Sequence, residues 1–207
     1  MLSTIQEKLK LIIIKALADV YTNDSPLIDS SGLYDISDDN TNEKFIFNSE
    51  RSVVFRFGIY LEKYLQKDFC MYNLDCEYNR SIYNKKKFFG DKDGIFPDLI
   101  IHKRGENNES SISTNNLMII ECKTWWSKGK TDVEKIKDDK EKINRFVCKK
   151  DVYKYNFGLS LIFKKTFEET LKTFEWFFDC ENASICVSIK QCVLKNNGHP
   201  GNGVDNV

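Results

Sequence analysis

The stretch Asn116-Leu-Met-Ile-Ile-Glu-Cys-Lys-Thr124 decides the fold. Leu117 to Ile120 are apolar without interruption, and a carboxylate and an amine follow two positions apart, at Glu121 and Lys123. In a strand, successive side chains point to opposite faces. Ile119, Glu121 and Lys123 then share one face, and Met118, Ile120 and Cys122 share the other. Charges beside a core cost free energy unless they are paired or bind something. A buried strand that ends by aiming an acid and a base the same way therefore reads as half of a site.

Working outward, residues 96–103 form the preceding strand. Leu99-Ile100-Ile101 is its apolar run, and Pro97 stands where a strand can begin. Residues 104–115 are Gly, Asn, Glu and Ser in character and suit a hairpin-type connection. A further strand is expected over 72–80, with Leu74, Cys76 and Tyr78 on one face, and 81–94 reads as a loop carrying Lys85-Lys86-Lys87. These three strands can form an antiparallel meander. On the far side, Val133, Ile136, Ile143 and Phe146 recur at helical spacing and predict a helix over 132–147. A strand over 153–163 with Gly158 inside it follows, then a Phe/Trp-rich helix over 166–179 and a last strand over 183–194.

Two helices precede the meander. Over 49–66, Val53, Val54, Phe57, Leu61 and Leu65 make an apolar stripe, with Asn48 or Ser49 as N-cap. Glu50 lies on that stripe, so a helix of about 3.6 residues per turn aims it inward. The competing reading is that Glu50 merely complements the helix N-terminus. Over 3–22, Ile5, Leu9, Ile12, Ala16 and Val20 mark an amphipathic helix, with Ser3 and Gln6 at capping-box spacing. Asn23 to Asn42 is polar and acidic and reads as a surface loop.

The 207 residues are 41% hydrophobic and carry Lys+Arg and Asp+Glu in equal number, 31 each. That suits one α/β domain over 1–195, with a flexible tail over 196–207. It excludes a global basic field, so any nucleic-acid contact must come from local patches. Seven cysteines, none spaced Cys-x-x-Cys, give little support to a zinc site. Leu11 to Ile14 is too short to span a membrane, and no secretory signal is legible, so the expectation is a cytoplasmic protein with no membrane partner.

The chemistry follows from pairing the two apolar strands. Asp98 opens one and Glu121 ends the next, so the two carboxylates can converge. Converging carboxylates repel unless something positive lies between them. A hard divalent cation serves, and Mg²⁺ usually takes only one or two carboxylates and keeps several waters. The Cys122 carbonyl could add an oxygen. Lys123 on the same face could orient or deprotonate a water, or offset charge on a phosphate.

Pro97-Asp98 followed by Glu121-x-Lys123 at the end of an apolar strand resembles the PD-(D/E)xK nuclease superfamily, the restriction-endonuclease-like fold. Its αβββαβ core matches the element order read over about 48–163. Glu50 fits the helix glutamate that members often add before the first strand, and Arg51 follows it as in resolvase-like members. Cys-Glu-Tyr-Asn-Arg at 76–80 and Ile-Ile-His-Lys-Arg at 100–104 extend the likeness to small bacterial members. The resemblance implies a central mixed sheet flanked by helices, with an N-terminal helix and a C-terminal helix-strand extension outside the core. It implies a metal-dependent nuclease that hydrolyses DNA in preference to RNA with Mg²⁺, or Mn²⁺ in its place. Asp98, Glu121 and Glu50 would hold the metal, and Lys123 would be the catalytic lysine. Members that cut both strands often form homodimers. No Gln-x-x-x-Tyr signature of the exonuclease branch stands in 132–147. The alternative is a catalytically inactive member that binds nucleic acid or another partner. A third reading drops the family and makes Glu121 and Lys123 ordinary edge-strand charges.

Around this set, Arg51, Arg104 and Lys128 are candidates for phosphate contact, with surface ion pairs as the plain reading for the two arginines. Lys85 to Lys87, Lys130, Lys149 and Lys150 could hold backbone phosphates, though a solvated face suits each singly. Glu77 and Asn79 border the cleft or a solvated edge. His102 shares parity with Asp98, but a hydrogen-bonded structural histidine is the favoured reading. Trp125 and Trp126 suit base stacking or, for at least one, core packing. The cysteines are expected to be buried or inert.

Overall fold

In the computed structural model, the described residues are 2–28, 49–77, 96–104, 115–126, 130–147 and 153–178. Two long helices come first: α1 (Leu2–Asn23), closed by a 3-10 turn at Ser25–Leu27, and α2 (Glu50–Asp68). Three strands follow, β1 (Asn73–Cys76), β2 (Leu99–His102) and β3 (Asn116–Thr124). Helix α3 (Lys130–Val147) leads to β4 (Phe157–Phe163), and a short α4 (Phe167–Leu171) leads to β5 (Glu175–Phe177).

The five strands form one mixed sheet in the order β1-β2-β3-β4-β5. Neighbours are antiparallel except β3 and β4, which run parallel with α3 as their crossover. A parallel pair requires such a crossover, because no tight turn can reverse the chain twice. Strand β3 therefore lies in the middle of the sheet, and Glu121 is only 2% exposed. The edge-strand reading of Glu121 and Lys123 fails on both counts. The expected meander of the first three strands is present.

Alternation along β3 divides the core. Met118, Ile120 and Cys122 join Leu99, Ile101, Leu159 and Leu161 in a large cluster with α1 and α2. Ile119 joins Ile100, Ile143, Phe146, Val147 and Phe177 in a smaller cluster under α3. Sheet and helices thus make an open α/β layer arrangement. Phe57, Leu61 and Leu65 of α2 are wholly buried, each contributing about 1.5–3 kcal/mol from apolar surface removed from water. Close approach of α3 depends on Gly158, where an added Cβ would lie 2.2 Å from Ile143 Cγ2.

Several expected boundaries shift, for local reasons. Helix α1 starts at Leu2, so Ser3 is a helical residue rather than its cap. Strand β1 stops at Cys76 because Glu77 takes a left-handed φ of 48°. Lys154, with φ 47°, likewise precedes β4, which begins only at Phe157. The helix expected over 166–179 is five residues long. Thr166 caps it through Glu169 N, and the Thr173 hydroxyl accepts from Ile162 N at 2.9 Å, returning the chain to the sheet as β5. Trp176 and Phe177 then enter the two clusters on opposite faces, which turns an aromatic run into a strand. The expected strand over 183–194, the 81–94 loop, Lys128, Asn79 and the tail over 196–207 lie outside the described residues. No described helix is long and apolar enough to cross a membrane.

Candidate active site

The β2/β3 register pairs Leu99 with Ile120 and Ile100 with Ile119. One further step sets Asp98 across from Glu121. Asp98 is fixed there by a hydrogen bond in which Cys122 N donates to its Oδ2 at 2.8 Å. Strand β2 starts only after Asp98, since Pro97 has no N–H to give a ladder. The carboxylate is thereby freed to turn along the end of the sheet.

Glu50 reaches the same strand end from the first turn of α2. Its Oε2 accepts from Thr124 N at 3.2 Å and from the Thr124 hydroxyl at 3.4 Å, and its Oε1 lies 3.4 Å from Lys123 Nζ. The inward aim expected from the α2 stripe is therefore met. Ser49, at the N-cap, makes no side-chain cap bond.

Helix α3 supplies two groups that the sequence reading did not single out. Asp139 Oδ2 stands 3.0 Å from Lys123 Nζ, and Asp139 Oδ1 stands 3.2 Å from Lys142 Nζ. Lys142 Nζ in turn lies 2.8 Å from Glu121 Oε2. A chain of alternating charge results: Glu50, Lys123, Asp139, Lys142, Glu121. The Asp139 Oδ2 contact is close but outside hydrogen-bond geometry, so it is an ion pair only. Glu121 Oε1 is buried with no hydrogen-bond partner. The signal for Asp139 and Lys142 was in the helix period: Ile136, Asp139 and Ile143, and likewise Lys142 and Phe146, are three or four apart on one side.

The electrostatics separate these groups. Burial pushes the Glu121 carboxyl well above its usual range, Lys142 pulls it back, and Asp98 and Asp139 push it up again. Burial also raises Asp98, against the Cys122 N–H and Lys123. Repulsion from Asp98 adds to the rise at Glu121. Burial alone would lower Lys123, but the attraction of Asp139 and Glu50 overrides it and holds the ammonium above the ordinary lysine value. The ammonium form suits two of the roles expected for Lys123, orienting a water and offsetting charge.

The residue types fit a hard divalent cation. Four carboxylates (Glu50, Asp98, Glu121 and Asp139) face two ammonium groups, leaving two negative charges among the described residues when all are ionised. Glu121 Oε1 is an oxygen donor without a partner. Among the described residues no group of three or more His, Cys, Asp and Glu is disposed to hold a metal. The fit is therefore to an ion taking two carboxylates, Asp98 and Glu121, and otherwise water. Glu50, expected as a third ligand, contacts Lys123 and Thr124 in this structure.

The remaining candidates lie elsewhere. Arg51 pairs with Glu77 at 3.1 Å on an exposed surface. Arg104 makes a two-point contact with Asp75, its Nε donating to Oδ2 at 3.0 Å. His102 is buried, its Nε2 2.6 Å from Asp75 Oδ2, at the end of β2 away from Asp98. It has the structural role favoured for it. Trp125 Nε1 donates to Ile28 O at 3.0 Å, Trp126 meets it edge-on, and both pack against the core. Of the described cysteines, Cys122 is buried, whereas Cys70 and Cys76 are exposed and unbridged. No protein family, no curated protein and no solved structure matches this chain, so the geometry of its own residues carries the functional argument.

Proposed function

We propose that the chain is a Mg²⁺-dependent nuclease of the PD-(D/E)xK type, hydrolysing phosphodiester bonds in nucleic acid, with DNA as the preferred substrate. One observation carries the reading: Asp98 and the buried Glu121 stand across from each other on adjoining strand ends, and one Glu121 oxygen is left without a partner. Asp98 and Glu121 would hold the cation. When bound, it would activate a water and polarise the phosphodiester.

The chain's own residues do the rest. Lys123 presents a fixed ammonium where negative charge builds on the phosphate. Such a preorganised charge helps because it needs no reorganisation during reaction. Glu50 and Asp139 hold Lys123 from two sides, so its position is set by α2 and α3 together. Thr124 locks Glu50 in turn. The test is cleavage of single-stranded, duplex and branched DNA, and of RNA, by the full chain with Mg²⁺ or Mn²⁺. Cleavage should vanish with chelator and in Glu121→Gln. Intact substrates of every form would defeat the reading.

A second reading, a catalytically inactive binding module of the same fold, is favoured by Lys142, which already gives Glu121 a counter-charge. Nucleic-acid binding with neither divalent-cation binding nor cleavage would establish it.

A further inference from the structure

Lys142 stands between two acids at unequal distances, 2.8 Å from Glu121 Oε2 and 3.2 Å from Asp139 Oδ1. Its side chain is 20% exposed, against 2% for Glu121. Nothing else described satisfies Glu121, whose second oxygen has no partner. A buried carboxylate with one cationic neighbour depends on that neighbour. Any divalent cation at Asp98 and Glu121 would claim the same carboxylate and repel the ammonium.

We infer that Lys142 is the resident counter-ion of Glu121, and that a divalent cation binding at Asp98 and Glu121 displaces its ammonium onto Asp139. This rests on the metal-dependent reading of the site. Asp139 is placed to receive it. It lies three residues earlier on α3 and already touches Lys142 through Oδ1, while Oδ2 serves Lys123. The transfer needs side-chain rotation alone. Lys142 then sets how much free cation is required to fill the site, because each binding event must first break the Glu121 contact. It also keeps the metal-free protein from burying a bare carboxylate.

The test is titration of the full chain with Mn²⁺ alone, following free Mn²⁺ by electron paramagnetic resonance. Lys142→Met should bind Mn²⁺ about tenfold more tightly than wild type, the scale of one lost charge-assisted hydrogen bond. Equal or weaker binding by the variant, with wild type still binding, overturns the counter-ion role and leaves the metal site standing. Absence of binding in both overturns the role and the metal-dependent reading together. A measurement on wild type decides the matter if the variant does not fold. Acetylation of Lys142 by an amine-selective reagent, read by mass spectrometry, should accelerate when Mn²⁺ is added, while that of Lys63 on α2 stays constant. An unchanged or slower rate at Lys142 overturns the displacement.

Discussion

Asp75 and Glu121 lie on the same side of the sheet, since Asp75 registers with Ile100 and Ile100 with Ile119, two residues before Glu121. Their surroundings diverge. Burial would raise Asp75, but hydrogen bonds from Arg104 and His102 override it and hold the carboxyl below its usual value. Glu121 is pushed well above, with one lysine on one of its two oxygens and a second carboxylate across the strand. Both acids sit near lysines or arginines in space, so ion-pair counting treats them alike. The difference lies in how completely each carboxylate is served. A fully served acid stabilises the sheet, and an under-served one is available to bind something.

The most severe way to break the contrast is through catalysis. Glu121→Gln and Lys123→Ala should each lower DNA cleavage by a hundredfold or more, roughly the loss from removing one transition-state charge contact. Asp75→Asn should stay within about twofold, since it changes stability and not the site. Comparable losses in both would erase the distinction between the two acids.

Next is the seat of α3, which presents Asp139 and Lys142 over β3. Gly158→Ala should destabilise by roughly 2–3 kcal/mol in urea unfolding, because the new methyl meets Ile143 Cγ2, a methyl held on the β-carbon close to the backbone. A neutral substitution would mean that α3 is not held this close.

The pH dependence of metal-free stability sharpens the contrast by sign. Glu121 has a raised folded value, so its contribution is complete below its unfolded value of 4.5 and is lost as pH climbs through the folded value. Asp75 is depressed, so its contribution is present above 3.8 and is lost as pH falls through the folded value. In chelator, Glu121→Gln should therefore gain on wild type as pH rises. Asp75→Asn should trail wild type above about pH 4 and close the gap in acid. Denaturant midpoints across pH 3–8 test both, and parallel profiles would contradict the assignment. The smallest effect is expected at Arg104→Ala. Its side chain is 61% exposed, so the loss should be below about 1 kcal/mol by thermal melt.

Much of this was legible from residue order. The run Leu117–Ile120, followed by alternating Glu121, Cys122 and Lys123, marked β3, its two faces and the candidate site at its end. Glu50 was readable because it lies on the same helical stripe as Val54 and Phe57. Asp139 and Lys142 were hidden in a helix crowded with charges, where only the sheet beneath says which ones turn inward. The Phe/Trp stretch after Thr166 resembled a helix because both of its faces are apolar. A strand between two cores has the same composition, and only the two clusters distinguish them. Strand β1 was overextended because a left-handed residue such as Glu77 leaves no mark in hydropathy.

Trp125 ties the segment after the N-terminal helix to the candidate site. Its indole N–H holds the Ile28 carbonyl, just past α1, and it follows Lys123 by two residues. Leu9, Ile13 and Leu17 of α1 are sealed into the same core as Val53 and Phe57 of α2, the helix that carries Glu50. A chain trimmed to begin at residue 48 would thus release both supports of Lys123's end of the sheet at once. What the family resemblance leaves outside as an appendage is, mechanically, the back wall against which the site is braced.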